Sequence, residues 1–118
     1  MAEAGLFLGW GQVVRGREEQ ALERFNESMQ FYARLQDQGR IESFDVALLT
    51  PHGGDLQGFI LIRGSAEQID SLRRDEEFER LQQKVDLIVD RLGIVDALVD
   101  ERLAVGMGIY QDAIGELR

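Results

Sequence analysis

Three polar side chains, Asp45, Gln57 and Arg63, interrupt two stretches of sequence that are otherwise largely apolar. Their neighbours at every second position include Phe59 and Leu61. A charge among such neighbours is costly unless it is paired or has a use. In a pocket, the fork-shaped guanidinium of Arg63 could bind an anionic or carbonyl group while Asp45 acts as a base. The simpler interpretation is an Asp45–Arg63 ion pair at a sheet edge, with Arg63 reaching water.

Aromatic residues and the histidine add little chemistry to this set. Trp10, between two glycines, could form a wall of the same pocket, although a lone tryptophan more often packs in a core. Tyr32 is expected at the edge of the core, and the single histidine, His52, lies in a turn sequence that favours an exposed polar residue. Asp45, Gln57, Arg63 and Trp10 therefore form the candidate ligand-binding set, and no catalytic residue is assigned.

Metal and cofactor chemistry finds little support in the residue types. The chain has no cysteine, which excludes disulfides and thiolate metal sites, and one histidine cannot build a zinc site without help. Acidic residues at positions 75–90 alternate with arginine and lysine, as on a solvated, ion-paired helix face. The glycine pairs at 9 and 11 and at 106 and 108 lack the third glycine and the following helix of a phosphate loop. We expect no metal and no cofactor.

Composition narrows the class of protein. The 118 residues, 44% hydrophobic and 30% charged, fit one folded domain. Thirteen basic residues against twenty-two acidic ones give a formal net charge of −9, which disfavours nucleic acid and anionic membranes as partners. No apolar run approaches the roughly 18 residues that span a bilayer, and no signal-peptide pattern begins the chain. A cytoplasmic location is expected.

The hydrophobic pattern steps through two strand–helix–strand units. We predict strands at residues 6–14, 41–50, 56–63 and 94–105, and helical segments at residues 17–38 and 65–92. Gly39 and Gly93 are the expected stops of the two helical segments. Ser65 and Gln68 have the spacing of a capping box at the start of the second. Residues 6–105 would form the core of a single domain, and a tail at 106–118 could carry one amphipathic turn through Ile109, Tyr110 and Ile114.

The second helical segment is predicted to break. Leu72 and Phe78 belong to apolar stripes that are out of phase on one helix. A straight helix over residues 65–92 would be about 42 Å long, too long for a domain whose radius of gyration is about 13 Å. We expect a break near Arg74 and Asp75, with Asp75 capping the second piece and Phe78 deeply buried.

Right-handed crossovers put both helical segments on one face of the sheet and leave the other bare. Because strand side chains alternate, the hairpin strands divide into two sets. The set expected to face the helices is Glu42, Phe44, Val46, Leu48, Leu56, Ile60 and Ile62. The opposite set is Ile41, Ser43, Asp45, Ala47, Leu49, Gln57, Phe59, Leu61 and Arg63. The second set is too apolar for water, so we expect a homodimer in which two sheets pack face to face.

The element order, the stop at Gly39 and the segment LRRDEEFERL at residues 72–81 resemble the dimeric α/β-barrel superfamily, over about residues 6–105. The branch most similar is that of the antibiotic-biosynthesis monooxygenases. The resemblance implies an α+β fold, a ferredoxin-like βαββαβ sandwich with a four-stranded antiparallel sheet, and a homodimer whose sheets enclose a small lumen. Members include cofactor-independent monooxygenases, haem-degrading enzymes, isomerases and dehydratases. The haem-binding histidine of one branch has no counterpart here, and Asn26 falls on a helix rather than a strand.

We therefore expect a protein that binds a small hydrophobic or oxygen-rich molecule in the barrel lumen. One alternative is a cofactor-independent monooxygenase or isomerase. Another is a non-catalytic interaction module whose tail, residues 107–117, docks across the dimer.

Overall fold

The computed structural model describes residues 2–118 and contains one antiparallel sheet and four helices. The strands are β1 (Ala4–Trp10), β2 (Ser43–Leu48), β3 (Gly58–Gly64) and β4 (Gly93–Ala97), in the spatial order β2-β3-β1-β4. The helices are α1 (Glu18–Asp37), α2 (Ala66–Arg73), α3 (Glu76–Asp86) and α4 (Asp100–Glu116). The order up to β4 is βαββαβ with a divided second helix, which confirms the predicted α+β ferredoxin-like fold. No helix within residues 2–118 has both the length and the apolar character needed to cross a membrane.

The predicted stop of the first helix is confirmed. Gly39 has a φ of +71°, in the left-handed region that glycine adopts without steric cost. The Arg40 N–H donates to the Leu35 carbonyl at 2.8 Å, and the Gly39 N–H to that of Gln36 at 3.0 Å. This is a Schellman motif, which satisfies the last carbonyls of α1 and turns the chain towards β2.

The predicted break of the second helical segment is confirmed as well. The segment α2 ends at Arg73 and α3 begins at Glu76. Asp75 caps α3, because its Oδ1 accepts from the Phe78 N–H at 3.1 Å. At the start of α2, both bonds of the Ser65–Gln68 capping box are formed.

The core lies between one face of the sheet, here called the helix-side face, and the helices. Strands β1 and β3 contribute Leu6, Leu8, Ile60 and Ile62, while α1 contributes Phe31, Tyr32 and Leu35. The divided helix adds Ile69, Leu72, Phe78 and Leu81. Phe78 is 4% exposed, as expected from the phase of its stripe.

The second helical segment ends at Asp86, so the prediction that it reaches Leu92 is wrong. Residues 88–90 instead run antiparallel to residues 11–14. The Val14 N–H donates to Ile88 O at 2.9 Å, and the Asp90 N–H to Gln12 O at 2.8 Å. This pairing also takes residues 11–14 out of β1, which ends at Trp10 rather than at residue 14. Ile88 is buried, so its apolar character reflects packing and not a helical turn.

The fourth strand ends at Ala97, so its predicted extension to residue 105 is also wrong. Val99 is buried against Gly5, and Asp100 takes a φ of 49°, which turns the chain out of the strand. The segment from Asp100 then forms a helix of 17 residues instead of the single turn expected near Ile109.

The predicted division of the hairpin residues between the two faces of the sheet is confirmed within β2 and β3. Ile60 and Ile62 are buried beneath the helices, and Phe59 and Leu61 lie on the opposite side, here called the open face. Ile41 is an exception. It was expected on the open face but is buried in the core, because β2 begins only at Ser43 and the alternation does not extend back to it.

Candidate functional site

Asp45 and Arg63 lie on the open face, where strand alternation predicted them. Arg63 is opposite Ser43 in the β2–β3 ladder, and Asp45 is opposite Leu61. The Arg63 guanidinium donates to the Asp45 carboxylate, and its Nε lies 3.8 Å from Oδ2 of Asp100. Asp45 is 64% exposed, so this is the surface ion pair of the simpler interpretation. That the pair also binds a ligand stays a prediction.

Gln57 and Trp10 do not join that pair. Gln57 precedes β3, and its Nε2 donates to the Gly54 carbonyl at 3.0 Å, within the hairpin turn. It is six residues from Arg63, or about 20 Å along an extended chain. Trp10 pairs with Gly58 and lies on the helix-side face, with its ring edge-on to Phe25 at 6.5 Å between centroids. The structure therefore separates the four predicted residues into three places.

A partly open apolar cavity lies on the helix-side face. It is a cavity of about 350 Å³ between the sheet, α1, α3 and residues 88–92. The sheet contributes Leu8, Trp10 and Ile60 to its walls, and the helical side contributes Ala21, Phe25, Val85 and Ile88. Ligand sites are typically apolar clefts of about 300–1,000 Å³ with a few placed polar groups. The volume and lining of this cavity fit that description at its small end.

Two buried polar sites lie at the cavity wall. The Ser28 hydroxyl donates to the Arg24 carbonyl at 2.8 Å, and Tyr32 and Gln82 bond to each other. Tyr32 is fully buried, and Gln82 is 8% exposed. The Gln82 Nε2 donates to the Tyr32 hydroxyl at 3.1 Å, which leaves the proton of that hydroxyl free for another acceptor. Burial raises the pKa of Tyr32 far above its usual range, and the Gln82 hydrogen bond lowers it only in part. Tyr32 therefore stays neutral and can act as a hydrogen-bond donor.

A glycine makes room for the indole of Trp10. A Cβ at Gly58 would lie 2.7 Å from Cζ2 of Trp10 and 2.9 Å from the Ala47 carbonyl oxygen. Such distances are well inside van der Waals contact. The close approach of Trp10 to β3 thus requires glycine at position 58, and it holds the ring as a wall of the cavity.

The mouth of the cavity is apolar. Leu22 and Leu48 line the cavity and are each 63% exposed. Glu18 and Arg24 stand beside them, but their charges are engaged elsewhere. The Glu18 carboxylate accepts from the Gly16 N–H at 3.0 Å, and Arg24 pairs with Glu27 at 2.6 Å. An apolar ligand can therefore enter without displacing an unpaired charge.

The sequence contained a signal for Gln82 that was missed. Phe78, Gln82 and Val85 follow one another at steps of four and three, so a polar residue occupies an apolar stripe of α3. A glutamine in such a position has to find a polar partner in the interior. Tyr32 was expected at the edge of the core, but it is fully buried and supplies that partner.

Other polar clusters organise the chain and do not form a second site. Nδ1 of His52 accepts from the Gly54 N–H at 3.0 Å, and its Nε2 lies 2.6 Å from the Leu56 carbonyl oxygen. These contacts require the proton on Nε2 and hold the exposed hairpin turn. Among residues 2–118, no three histidine, aspartate or glutamate side chains are grouped closely enough to hold a metal ion.

The sheet order and the two crossovers define a ferredoxin-like α+β protein with a cavity under its helices. No protein-family model and no curated protein matches the sequence. Solved structures do match. A dimeric ferredoxin-like protein of unknown function from Jannaschia superposes with a TM-score of 0.63 at 12% identity, over 81% of this chain and 99% of its own.

Two further structures carry functional names. An ethyl tert-butyl ether D family protein from Bacillus halodurans has a TM-score of 0.61 at 11% identity and covers 85% of this chain and 100% of its own. SnoaB, a cofactor-independent oxygenase from Streptomyces nogalater, has a TM-score of 0.57 at 14% identity. The match covers 85% of this chain and 98% of the SnoaB chain. At such identities the likeness shows a shared ferredoxin-like fold.

Proposed function

We propose that the protein binds a small, mainly apolar molecule carrying a hydrogen-bond acceptor, and that it does so in the cavity on the helix-side face. The observation that carries this proposal is a cavity of about 350 Å³ whose walls are mainly apolar, with Ser28 and the Tyr32–Gln82 pair as its buried polar groups. We place the site in this cavity rather than in the barrel lumen that the sequence suggested, because Asp45 and Arg63, which would line the lumen, are already bonded to each other.

A carbonyl or ether oxygen on the ligand would accept the Tyr32 hydroxyl proton. The tyrosine is neutral and Gln82 already donates to its oxygen, so the hydroxyl proton is the remaining donor. Tyr32 is fully buried, so a ligand would have to displace the side chains that now cover its hydroxyl. A hydrogen bond in a dry site discriminates strongly, because a ligand that lacks the acceptor leaves the donor unpaired. Apolar walls then favour aromatic or alicyclic molecules.

We further propose that two copies pair through their open faces. On that face Phe7 and Phe59 stack with centroids 5.4 Å apart, and Val95 is 54% exposed. An apolar patch that the helices do not cover favours a partner. Two of the similar structures, those from Jannaschia and Bacteroides fragilis, are described as dimeric ferredoxin-like proteins, in line with this proposal.

A second candidate function is that of a cofactor-independent oxygenase, as SnoaB is described. Deprotonating a substrate needs a base, and a good base has a pKa near the working pH. The buried polar groups here, Ser28, Tyr32 and Gln82, are all uncharged at neutral pH. The nearest carboxylate, Glu18, stands at the exposed rim and is bonded to the Gly16 backbone. The residues of the cavity therefore favour binding over this chemistry.

Native mass spectrometry of the purified protein tests the binding proposal. We expect a bound small molecule that is lost or reduced in Tyr32→Phe, which keeps the ring and removes the donor. Arg63→Met is the control on the open face, and it should retain the ligand. Loss of the ligand in Arg63→Met with retention in Tyr32→Phe would move the site to the lumen and contradict the proposal.

A further inference from the structure

The helix α4 carries an apolar stripe that nothing in the chain covers. Its members, here called the α4 stripe, are Leu103, Met107, Tyr110 and Ile114, together with Leu117, the residue that caps the end of the helix. They are between 40% and 89% exposed. Their spacing is four, three, four and three residues, so all five lie within about 40° of one line along the helix. This is the spacing of a seam between two packed helices.

Such a helix does not hold itself together. None of its 17 residues is buried, and it contains Gly106, Gly108 and Gly115. Each glycine in a helix interior costs about 1 kcal/mol relative to alanine. Isolated helices shorter than about 12–15 residues are marginal even when they are rich in alanine, and α4 is only slightly longer and contains three glycines. The stability of α4 must therefore come from packing against another surface.

The exposed area of the chain points to a second copy as that surface. A compact monomer of 13.4 kDa exposes about 6,500 Å², whereas this chain exposes 7766 Å². The excess of about 1,300 Å² exceeds the roughly 800 Å² that each partner buries in a standard interface. The radius of gyration agrees, at 16.1 Å against about 13.5 Å for a compact chain of this length.

The start of α4 lies on the open-face side of the sheet. A Cβ added at Gly5 would lie 3.0 Å and 3.2 Å from the two methyl carbons of Val99. The Asp100 carboxylate accepts from the Ala2 N–H at 3.1 Å and lies 3.8 Å from Nε of Arg63. A second copy seated on the open face would therefore lie beside the start of α4.

We propose that α4 is a dimerisation arm, and that its stripe packs against the α4 stripe of a second copy. The inference rests on the proposed homodimer and adds a second contact to the sheet face. A symmetric pair of helices follows from a two-fold axis, which brings the same surface of each chain together. Arg63 acquires a positioning role, because it stands between Asp45 on β2 and Asp100 at the root of the arm.

Disulfide trapping tests the arm directly, because the full chain has no cysteine. Tyr110 is the central member of the stripe and is 62% exposed, so Tyr110→Cys should fold normally. In either a parallel or an antiparallel pair the central position faces itself, within the reach of a disulfide. Asp112→Cys, on the opposite side of the same helix, is the matched control. We expect mild oxidation to link most of the Tyr110→Cys protein into dimers and little of the Asp112→Cys protein.

Sedimentation of the unmodified chain separates the two proposals. If the chain is dimeric but Tyr110→Cys does not link, or links no better than Asp112→Cys, the arm proposal is wrong and the sheet-face dimer stands. If the chain is monomeric at all concentrations, both fail. A second variant, Met107→Glu with Ile114→Glu, should raise the dimer dissociation constant at least tenfold. An unchanged constant would also overturn the arm.

Discussion

At the scale of single residues, the neutral Tyr32 beside Gln82 is the feature on which the proposed site depends. The phenol is buried and cannot ionise without placing a charge in an apolar interior. The folded state therefore keeps the Tyr32 proton to higher pH than the unfolded chain, whose tyrosines titrate near pH 10. A group with a raised pKa in the folded state stabilises fully below its unfolded pKa and loses that contribution as pH rises.

The first prediction concerns this linkage. At pH 8, Tyr32→Phe should lower the free energy of unfolding by about 1 kcal/mol, the net value of a typical hydrogen bond. Above about pH 10 the unfolded wild type is stabilised by ionisation of Tyr32, which stays protonated in the folded state. Tyr32→Phe has no such group, so the difference in unfolding free energy between the two proteins should shrink. Urea unfolding at pH 8 and at pH 10.5 measures it. A difference that is constant or grows with pH contradicts a buried, neutral Tyr32.

A second prediction at this scale concerns Gly58. The added methyl group of Gly58→Ala would overlap the Trp10 ring and the Ala47 carbonyl, and overpacking of this kind costs about 1–3 kcal/mol. Trp10 is the one tryptophan of the sequence, so its fluorescence should also shift as the ring moves. Gly115→Ala is the control, since nothing lies within 4 Å of its Cβ position. Equal effects of the two changes on Trp10 fluorescence would show that position 58 is not tightly packed.

Residue types alone located only part of this site. Alternation placed Asp45 and Arg63 on one face, because a period of two fixes the side of a strand. Strand alternation could not indicate that Gln57 precedes β3 and that its side chain donates a hydrogen bond within the hairpin turn. The cavity was not predicted at all, because an unfilled volume depends on how Trp10 and Phe25 pack across elements, and no periodicity records that.

At the scale of elements, the break between α2 and α3 is held by Asp75. Its side chain caps α3 through the Phe78 N–H and forms an ion pair with Arg40. Partial burial acts to raise the pKa of Asp75, but the hydrogen bonds from Arg40 and from the backbone outweigh it, and the pKa lies below its usual value. A lowered pKa gives stability that is present above the unfolded value and is lost as pH falls through the folded value.

The third prediction follows from that cap. Asp75→Ala should cost about 1 kcal/mol at neutral pH. Asp75→Asn, which can still cap the helix, should cost less. The stability advantage of the wild type over Asp75→Ala should decline below about pH 4, where the Asp75 carboxylate begins to take up a proton. Thermal unfolding of the three proteins at pH 7 and pH 3 measures both effects. An Asp75→Ala protein as stable as the wild type at pH 7 would show that the cap does not hold the break.

The break was predictable because a phase slip between Leu72 and Phe78 is local information. The C-terminal ends of α3 and β4 were not predictable from the sequence, because long-range contacts determine where these elements end. Ile88 continues the apolar period of α3, yet its carbonyl pairs with Val14 far along the chain. The length of α4 was underestimated, as one turn, because its stripe faces no element of its own chain and its three glycines lower its helix propensity.

At the scale of the whole molecule, a βαββαβ sheet with α1, α2 and α3 on one face leaves most of the other face uncovered, and in this chain that face is largely apolar. We predict a homodimer, with a sedimenting mass about twice the 13.4 kDa of the chain. Leu61→Asp places a charge in the proposed interface and should raise the dissociation constant by two orders of magnitude or more. Leu87→Asp is the control, at a leucine that is 68% exposed near the end of α3. A Leu61→Asp protein that stays dimeric at low micromolar concentration rules out pairing through the open face.

The expectation of a dimer came from topology and patterning, since right-handed crossovers put the helices on one side and side-chain parity predicts an apolar other side. The function could not be inferred from the sequence, because a shared fold does not determine what a protein binds. The binding proposal rests on a cavity that only the three-dimensional packing reveals.

The most direct test of that proposal is to fill the cavity and measure binding of a neutral probe. Prodan, a small naphthyl ketone whose fluorescence shifts to the blue in apolar surroundings, has both an aromatic body and a carbonyl acceptor. Ala21 lines the cavity, whereas Ala33 lies exposed on the same helix, so Ala21→Phe and Ala33→Phe form a matched pair. The account predicts saturable, blue-shifted binding to the wild type and to Ala33→Phe, and a loss of at least tenfold in affinity for Ala21→Phe. Equal binding by the two variants would contradict the account.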